Sequence, residues 1–259
     1  MVDDSLFLYH DVCTNGIGYV DLMFKTDSIA PEQIPYLGLL KSVLGYVDTE
    51  NYTYGELFNE INANTGGINC GVEVFDRADS TEEFQAMFSV RGKALYTKMD
   101  FLFKMIGEIL NSSKLEDTKR LYEIVASVKS RAQVNLTGAG HSTAVLRAAA
   151  YSSPMAAFQD EMAGIGYYQF IEKLEKDFEQ RKEETVEELC KLMKEILRPE
   201  NFMISYTGER ESLETVQKLA GAVKAGLGTE PVEKSEEKLT CTKKNEGFKT
   251  SGQVQYVAQ

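Results

Sequence analysis

Residues 5–25, SLFLYHDVCTNGIGYVDLMFK, set the fold class. Leu6, Leu8, His10 and Val12 alternate with Phe7, Tyr9 and Asp11, and Val20, Leu22 and Phe24 repeat the same period. A period of two sends successive side chains to opposite faces, so both runs read as strands. Thr14-Asn15-Gly16-Ile17 lies between them. Asn-Gly tolerates positive φ at both centres of a type I′ turn, which predicts a hairpin over residues 5–25.

Outward from that hairpin the period changes. Ile34, Leu37, Leu40, Lys41 and Leu44 predict a short amphipathic helix over about residues 34–46. Thr53 with Glu56 forms a capping box for a second helix, which Gly66-Gly67 ends. Residues 68–75 and 84–90 alternate again and predict an antiparallel pair joined by residues 76–82. A helix is expected from Leu95 to Leu110, another from about Asp117 to Leu136, and a third after Gly138-Ala139-Gly140. Pro154 opens the next, and Gly164-Ile165-Gly166 closes it. The charged run 170–197 carries one apolar stripe (Ile171, Leu174, Phe178, Val186, Leu189) and reads as a solvated helix. The heptad lapses between Phe178 and Val186, against a coiled coil. Residues 202–207 predict a strand, and Leu213 to Val223 a last helix. The order gives an α+β fold with a mostly antiparallel sheet and helices packed on it.

Composition narrows the function. Acids outnumber Lys plus Arg by 40 to 28, for a net charge of −12 and a pI near 4.8. Phosphate-backbone binding needs clustered cations, so nucleic acid is not an expected partner. An anionic membrane surface would repel the chain, and no apolar run is long enough to span one. His10 and His141 are the two histidines. Cys13, Cys70, Cys190 and Cys241 form no CxxC pair, so they read as reduced thiols in a cytoplasmic protein. The first residues carry no basic–apolar leader pattern.

A set of short pieces then points to a family: Thr14-Asn15-Gly16-Ile17-x-Tyr19; Ile34-Pro35-Tyr36-Leu37-x-Leu39-Leu40; Tyr54-x-x-Leu57 leading to Thr65-Gly66-Gly67-Ile68; Gly140-His141-Ser142 with Ala144; Gly164-Ile165-Gly166-Tyr167; and Gln253-Val254-Gln255-Tyr256-Val257. In order and spacing the chain resembles the pitrilysin/insulinase-type metallopeptidases of the presequence-protease branch. The match is to the third of four homologous domains, with a LuxS/metallohydrolase-like fold. The resemblance implies a parent zinc peptidase whose two halves close around an unfolded peptide. Its zinc would sit in the first domain on His-x-x-Glu-His.

This chain departs from that motif. The helix equivalent to the zinc helix has no histidine and no glutamate after Ile34; Leu39, Ser42 and Val43 fall where ligands would be. No catalytic, cofactor-binding or metal residue is therefore assigned, and zinc belongs to the parent by resemblance alone. His141 beside Ser142 suggests a nucleophile with its base, but neighbours at a helix start rarely face each other and no G-x-S-x-G elbow is present. His10 reads as an ordinary strand residue. Gly138-x-Gly140 and Gly164-x-Gly166 lack the rest of a phosphate loop and read as helix breaks. The acidic run 172–195 lacks calcium-loop spacing and reads as a solvated face. The strand 68–75 offers an edge on which an extended peptide could add.

The expected division is a pitrilysin-type unit over residues 1–228, a charged linker over 229–252 with five Glu against five Lys, and the first strand of a following domain at 253–259. The expected role is a non-catalytic wall of a peptide chamber, with the catalytic N-terminal half and the following domain as partners. The alternative is an inactive peptide-binding or scaffold subunit of the same family.

Overall fold

The computed structural model describes residues 5–232, 235, 237, 239–249 and 254–259. β1 (Leu6–Asp11) and β2 (Ile17–Lys25) form where alternation predicts them. The turn forms too: Asn15 and Gly16 take φ of 52° and 82°, and the Ile17 N–H donates to the Thr14 carbonyl at 3.3 Å. The two strands nevertheless do not pair. β5 (Phe202–Gly208) lies between them, parallel to β1 and antiparallel to β2. The hairpin expected over residues 5–25 is thus corrected to an open arch. Insertion satisfies both inner edges and buries Phe202, Ile204 and Tyr206, which are 5%, 0% and 0% exposed. That burial outweighs direct pairing of the two local strands.

β3 (Ile68–Arg77) and β4 (Ser80–Leu95) make the expected antiparallel pair, with Val72 opposite Phe88. Their loop is two residues long, shorter than expected, because both strands extend into the polar region. β4 also runs on to Leu95, where a helix was expected to begin. That helix, α3 (Met99–Ser112), starts after a 3-10 turn at Tyr96–Lys98. The full sheet order is β1-β5-β2-β4-β3.

α1 (Ile34–Val43) and α2 (Tyr54–Asn64) follow β2. The predicted capping box holds: Thr53 Oγ1 accepts from the Glu56 N–H at 3.3 Å, and Glu56 Oε2 accepts from the Thr53 N–H at 2.9 Å. α4 (Thr118–Gly138), α5 (Gly140–Ala149) and α6 (Pro154–Ala163) match their glycine and proline signals. The charged run is two helices rather than one: α7 (Ile165–Lys176) and α8 (Phe178–Ile196), broken at Asp177. The break turns Phe178 inward, 2% exposed and 5.3 Å from the Tyr122 ring. α9 (Leu213–Ala225) closes the helical set.

Sheet side chains reach the hydrophobic core from one face: Val20, Leu22, Phe24, Phe88, Val90, Ile204 and Tyr206, packed with Leu37 and Leu40 of α1, Leu102 and Ile106 of α3, and Leu189 and Leu192 of α8. Each such fully buried side chain contributes about 1.5–3 kcal/mol. The described residues between 229 and 259 form neither helix nor strand. The strand expected at 253–259 is therefore absent over 254–259, and Gln253 lies outside the described residues. Part of the expected linker (233, 234, 236, 238 and 250–252) lies outside them as well.

Candidate functional site

The first place to test is α1, the helix where the family resemblance would put a zinc motif. Ile34 to Leu40 and Val43 are all buried, because α1 lies between the sheet and α4, α6, α7 and α8. Leu39 and Val43 are 0% exposed. The Ser42 hydroxyl donates to the Gly38 carbonyl at 3.3 Å and is used within the helix. The Tyr167 ring of α7 closes against Gly38; a Cβ there would meet Tyr167 Cε2 at 2.7 Å. Lys41 is the charged group of α1, and burial lowers its ammonium pKa. Zinc requires thiolate, imidazole or carboxylate donors converging at about 2.0–2.3 Å. A leucine, a valine and an engaged hydroxyl do not fit it. Among the described residues no group of three or more His, Cys, Asp or Glu is placed to hold a metal ion.

The second place is the sheet face turned away from the core. Register sets its rows. Leu8, Ser205, Asp21, Arg91 and Asn69 run across all five strands, and His10, Thr207, Tyr19 and Lys93 run beside them. Arg91 binds Asp21 at 2.7 Å and Glu73 at 3.1 Å, a ladder over β2, β4 and β3. Burial raises the Asp21 carboxyl pKa and outweighs the opposing pull of Arg91. Asp21 Oδ1 and Ser89 Oγ are buried on this face without a hydrogen-bond partner. The Lys93 ammonium stands 6.0 Å from the Tyr19 ring centre. Leu6, Leu8, Tyr19 and Leu95 are exposed here, and Phe75 is exposed on the edge strand β3. Mixed apolar, aromatic and hydrogen-bonding groups suit an extended peptide; they contain no nucleophile–base pair.

The remaining sequence candidates separate. His141 and Ser142 are both exposed at the start of α5 and share no hydrogen bond. His10 is exposed on β1. Gly164 and Gly166 flank the α6–α7 break, where the Asp160 carboxylate accepts from the N–H groups of Ile165 and Gly166 at 3.0 and 3.1 Å. That helix start is filled by a side chain of the protein itself. In the acidic run, Arg181 donates to Glu184 and to the Tyr36 hydroxyl, each at 2.9 Å. Burial pushes the Tyr36 phenol up to about 12. Sequence reasoning missed two clusters. The Asp21–Arg91–Glu73 ladder needed the strand register, and Arg147 with Asp160 and Glu246 has no local signal, its members lying 13 and 99 residues from Arg147.

The family model that matches residues 2–174 is described as associated with peptidase M16, subgroup C. Protein HypA of Clostridium perfringens is 34% identical over 258 residues, covering 100% of this chain and 26% of that protein. The mitochondrial presequence protease of Yarrowia lipolytica is 29% identical over 183 residues, 71% of this chain and 18% of that protein. The chloroplastic/mitochondrial presequence protease 1 of Arabidopsis thaliana is 26% identical over 82% of this chain and 19% of that protein. The chain thus spans about a quarter or less of these relatives' length. A solved structure described as a peptidase M16 inactive domain from Pseudomonas fluorescens superposes with a TM-score of 0.57 at 15% identity, over 90% of this chain and 51% of that one.

Proposed function

The chain belongs to the family associated with the subgroup C peptidases of M16, and from that premise we propose that it serves as a non-catalytic wall of a presequence-protease-like zinc metalloendopeptidase. In this reading residues 1–228 are the domain, residues 229–252 join it to the next, and residues 253–259 begin that next domain. Its partners are the catalytic half of the same polypeptide, the following domain and an unfolded peptide, in the cytoplasm, without nucleic acid or membrane. Among the described residues no helix is long and apolar enough to cross a membrane. Excluding bulk water and oversized substrates is the physical work of such a wall.

The observation that carries this reading is α1: the helix that would present metal ligands is spent on the core and offers no donor set. The test is the metal content and peptidase activity of the dialysed chain. Less than about a tenth of a zinc per chain and no chelator-sensitive hydrolysis of an unstructured peptide are expected. About one tightly held zinc per chain would overturn the reading. In this reading the outward sheet face contacts the peptide away from the reacting atoms, so Leu8→Asp with Tyr19→Asp in the full polypeptide is expected to raise KM several-fold with kcat little changed.

Among the described residues β3 is an edge strand of the sheet, which favours a second reading, an inactive peptide-binding or scaffold subunit. An edge strand can hold an extended chain by main-chain hydrogen bonds without cutting it. A parent polypeptide lacking His-x-x-Glu-His would decide for that alternative.

A further inference from the structure

The stretch after α9 has the composition of a free linker but not its contacts. The Arg198 guanidinium donates to the Glu230 carbonyl at 2.5 Å, and the Ser235 N–H donates to the Ser28 carbonyl at 3.0 Å. Leu239 and Cys241 then pack, alongside Leu146 and Ala149 of α5, against a small buried alanine cluster of Ala150 with Ala156 and Ala157 of α6. Beyond them Glu246 meets Arg147 with both carboxylate oxygens, at 2.9 and 3.2 Å, and accepts from the Tyr151 hydroxyl. Phe248 lies 5.8 Å from the same guanidinium, and the Tyr256 ring lies 6.2 Å from that of His141.

Arg147 is built to receive this segment. Its side chain is 14% exposed, and Asp160, 2% exposed, holds its other arm at 2.5 Å. Asp160 is itself fixed by the first N–H groups of α7. The fork is thus oriented before the segment arrives, which reduces the entropy lost on forming a bidentate pair. The small side chains of Ala150, Ala156 and Ala157 form the apolar cluster on which Leu239 and Cys241 rest.

We propose that the α5–α6 face is a docking groove whose occupant is this chain's own segment 239–248, with Arg147 as the positioning residue that locks it. The segment is a latched strap, so the chain leaves the domain in a set direction. This inference stands on the contacts of the segment and is independent of the chamber reading.

Lys243, Lys244 and Lys249 make the strap testable by limited trypsin digestion of the full chain, with cleavage sites read by mass spectrometry. Each rate is divided by that of a synthetic peptide with the same sequence over residues 239–252, which cancels the effect of a nearby acid on trypsin. The wild-type chain is expected to be cut at these lysines at least about tenfold more slowly than its peptide. Glu246→Gln leaves the Arg147–Asp160 pair intact and is expected to remove most of that protection at an unchanged thermal midpoint. Arg147→Ala is expected to remove it too, and Arg147→Lys to restore it only in part, because an ammonium cannot form the fork. The double variant Arg147→Ala/Glu246→Gln should lose no more protection than Arg147→Ala alone, since both act through one contact. Equal normalised cleavage of the wild-type chain and its peptide, or full protection retained in Glu246→Gln, would overturn the proposal.

Discussion

Two buried glutamates show how one residue's surroundings set its charge. Glu108 is 8% exposed, and its burial alone would raise its pKa. Hydrogen bonds from Thr49 and from the side chain and backbone of Asn51 outweigh burial, so the net shift is downward. Glu195 is 6% exposed with fewer donors on its carboxylate: Gln33 at 3.1 Å, and Lys191 no closer than 3.9 Å. It also lies in the last turn of α8, at the negative end of the helix dipole. Burial wins there and raises the Glu195 pKa. A carboxyl whose folded pKa is raised favours the folded state when protonated. Its stabilising proton is held at low pH and lost as pH rises through the window between the unfolded value, about 4.3, and the higher folded one. Glu195→Gln keeps an acceptor for Gln33 and removes the titration. Relative to wild type its thermal midpoint is expected to be nearly unchanged at about pH 3, where both states hold the proton, and higher at about pH 7.5, where the wild-type group has lost it. A difference independent of pH in thermal scans would refute this. That Leu39 and Val43 offer a metal no donor was legible at this scale, because a leucine cannot become a ligand whatever the fold does. The Asp21–Arg91–Glu73 ladder was not, because a charge partner across strands depends on a register that no single residue encodes.

At the scale of elements, local signals located the pieces and non-local packing joined them. Asn15-Gly16 specified its turn correctly, since that turn depends on two φ angles alone. It could not specify the pairing of β1 and β2, because the strand that separates them arrives some 180 residues later. The break at Asp177 was hidden for a related reason: Phe178 belongs to the apolar stripe, and a stripe does not show where one helix axis ends and the next begins. α1 shows packing overriding propensity. Gly38 costs helix stability relative to alanine, by about 1 kcal/mol. A Cβ there would meet Tyr167 Cε2 at 2.7 Å and the Met162 carbonyl at 2.9 Å, and neither can retreat from the core. Overpacking of this kind costs about 1–3 kcal/mol, so it exceeds the propensity gain. Gly38→Ala is expected to lower the unfolding midpoint by several degrees. Gly55 of α2 has open space where a Cβ would go, and Gly55→Ala should hold or raise the midpoint, by up to about 1 kcal/mol. Chemical denaturation of both variants checks the pair. A Gly38→Ala chain as stable as Gly55→Ala would mean that α1 and α7 are not in the contact described.

For the molecule as a whole, the deciding quantity is the net charge of −12. Many of its ion pairs sit on the surface, such as Arg77–Asp79 and Lys182–Glu179. Pairs of that kind contribute about 0–1 kcal/mol each and weaken in salt. The better buried Arg147–Asp160 pair is screened much less. Against these stands the mutual repulsion of the excess acids, which favours expansion and acts over roughly a Debye length, about 10 Å at 0.1 M salt. With 12 more acids than Lys plus Arg, screening relieves more repulsion than it removes attraction. The thermal midpoint at neutral pH is therefore expected to rise by about 2–4 °C between roughly 20 and 500 mM sodium chloride. Sodium chloride is the right probe, because sulfate would stabilise by exclusion from the surface whatever the charge. The rise should shrink as pH approaches the pI of about 4.8, where the net charge and its repulsion vanish together. A midpoint that falls with salt at neutral pH would mean that the ion pairs outweigh the net repulsion.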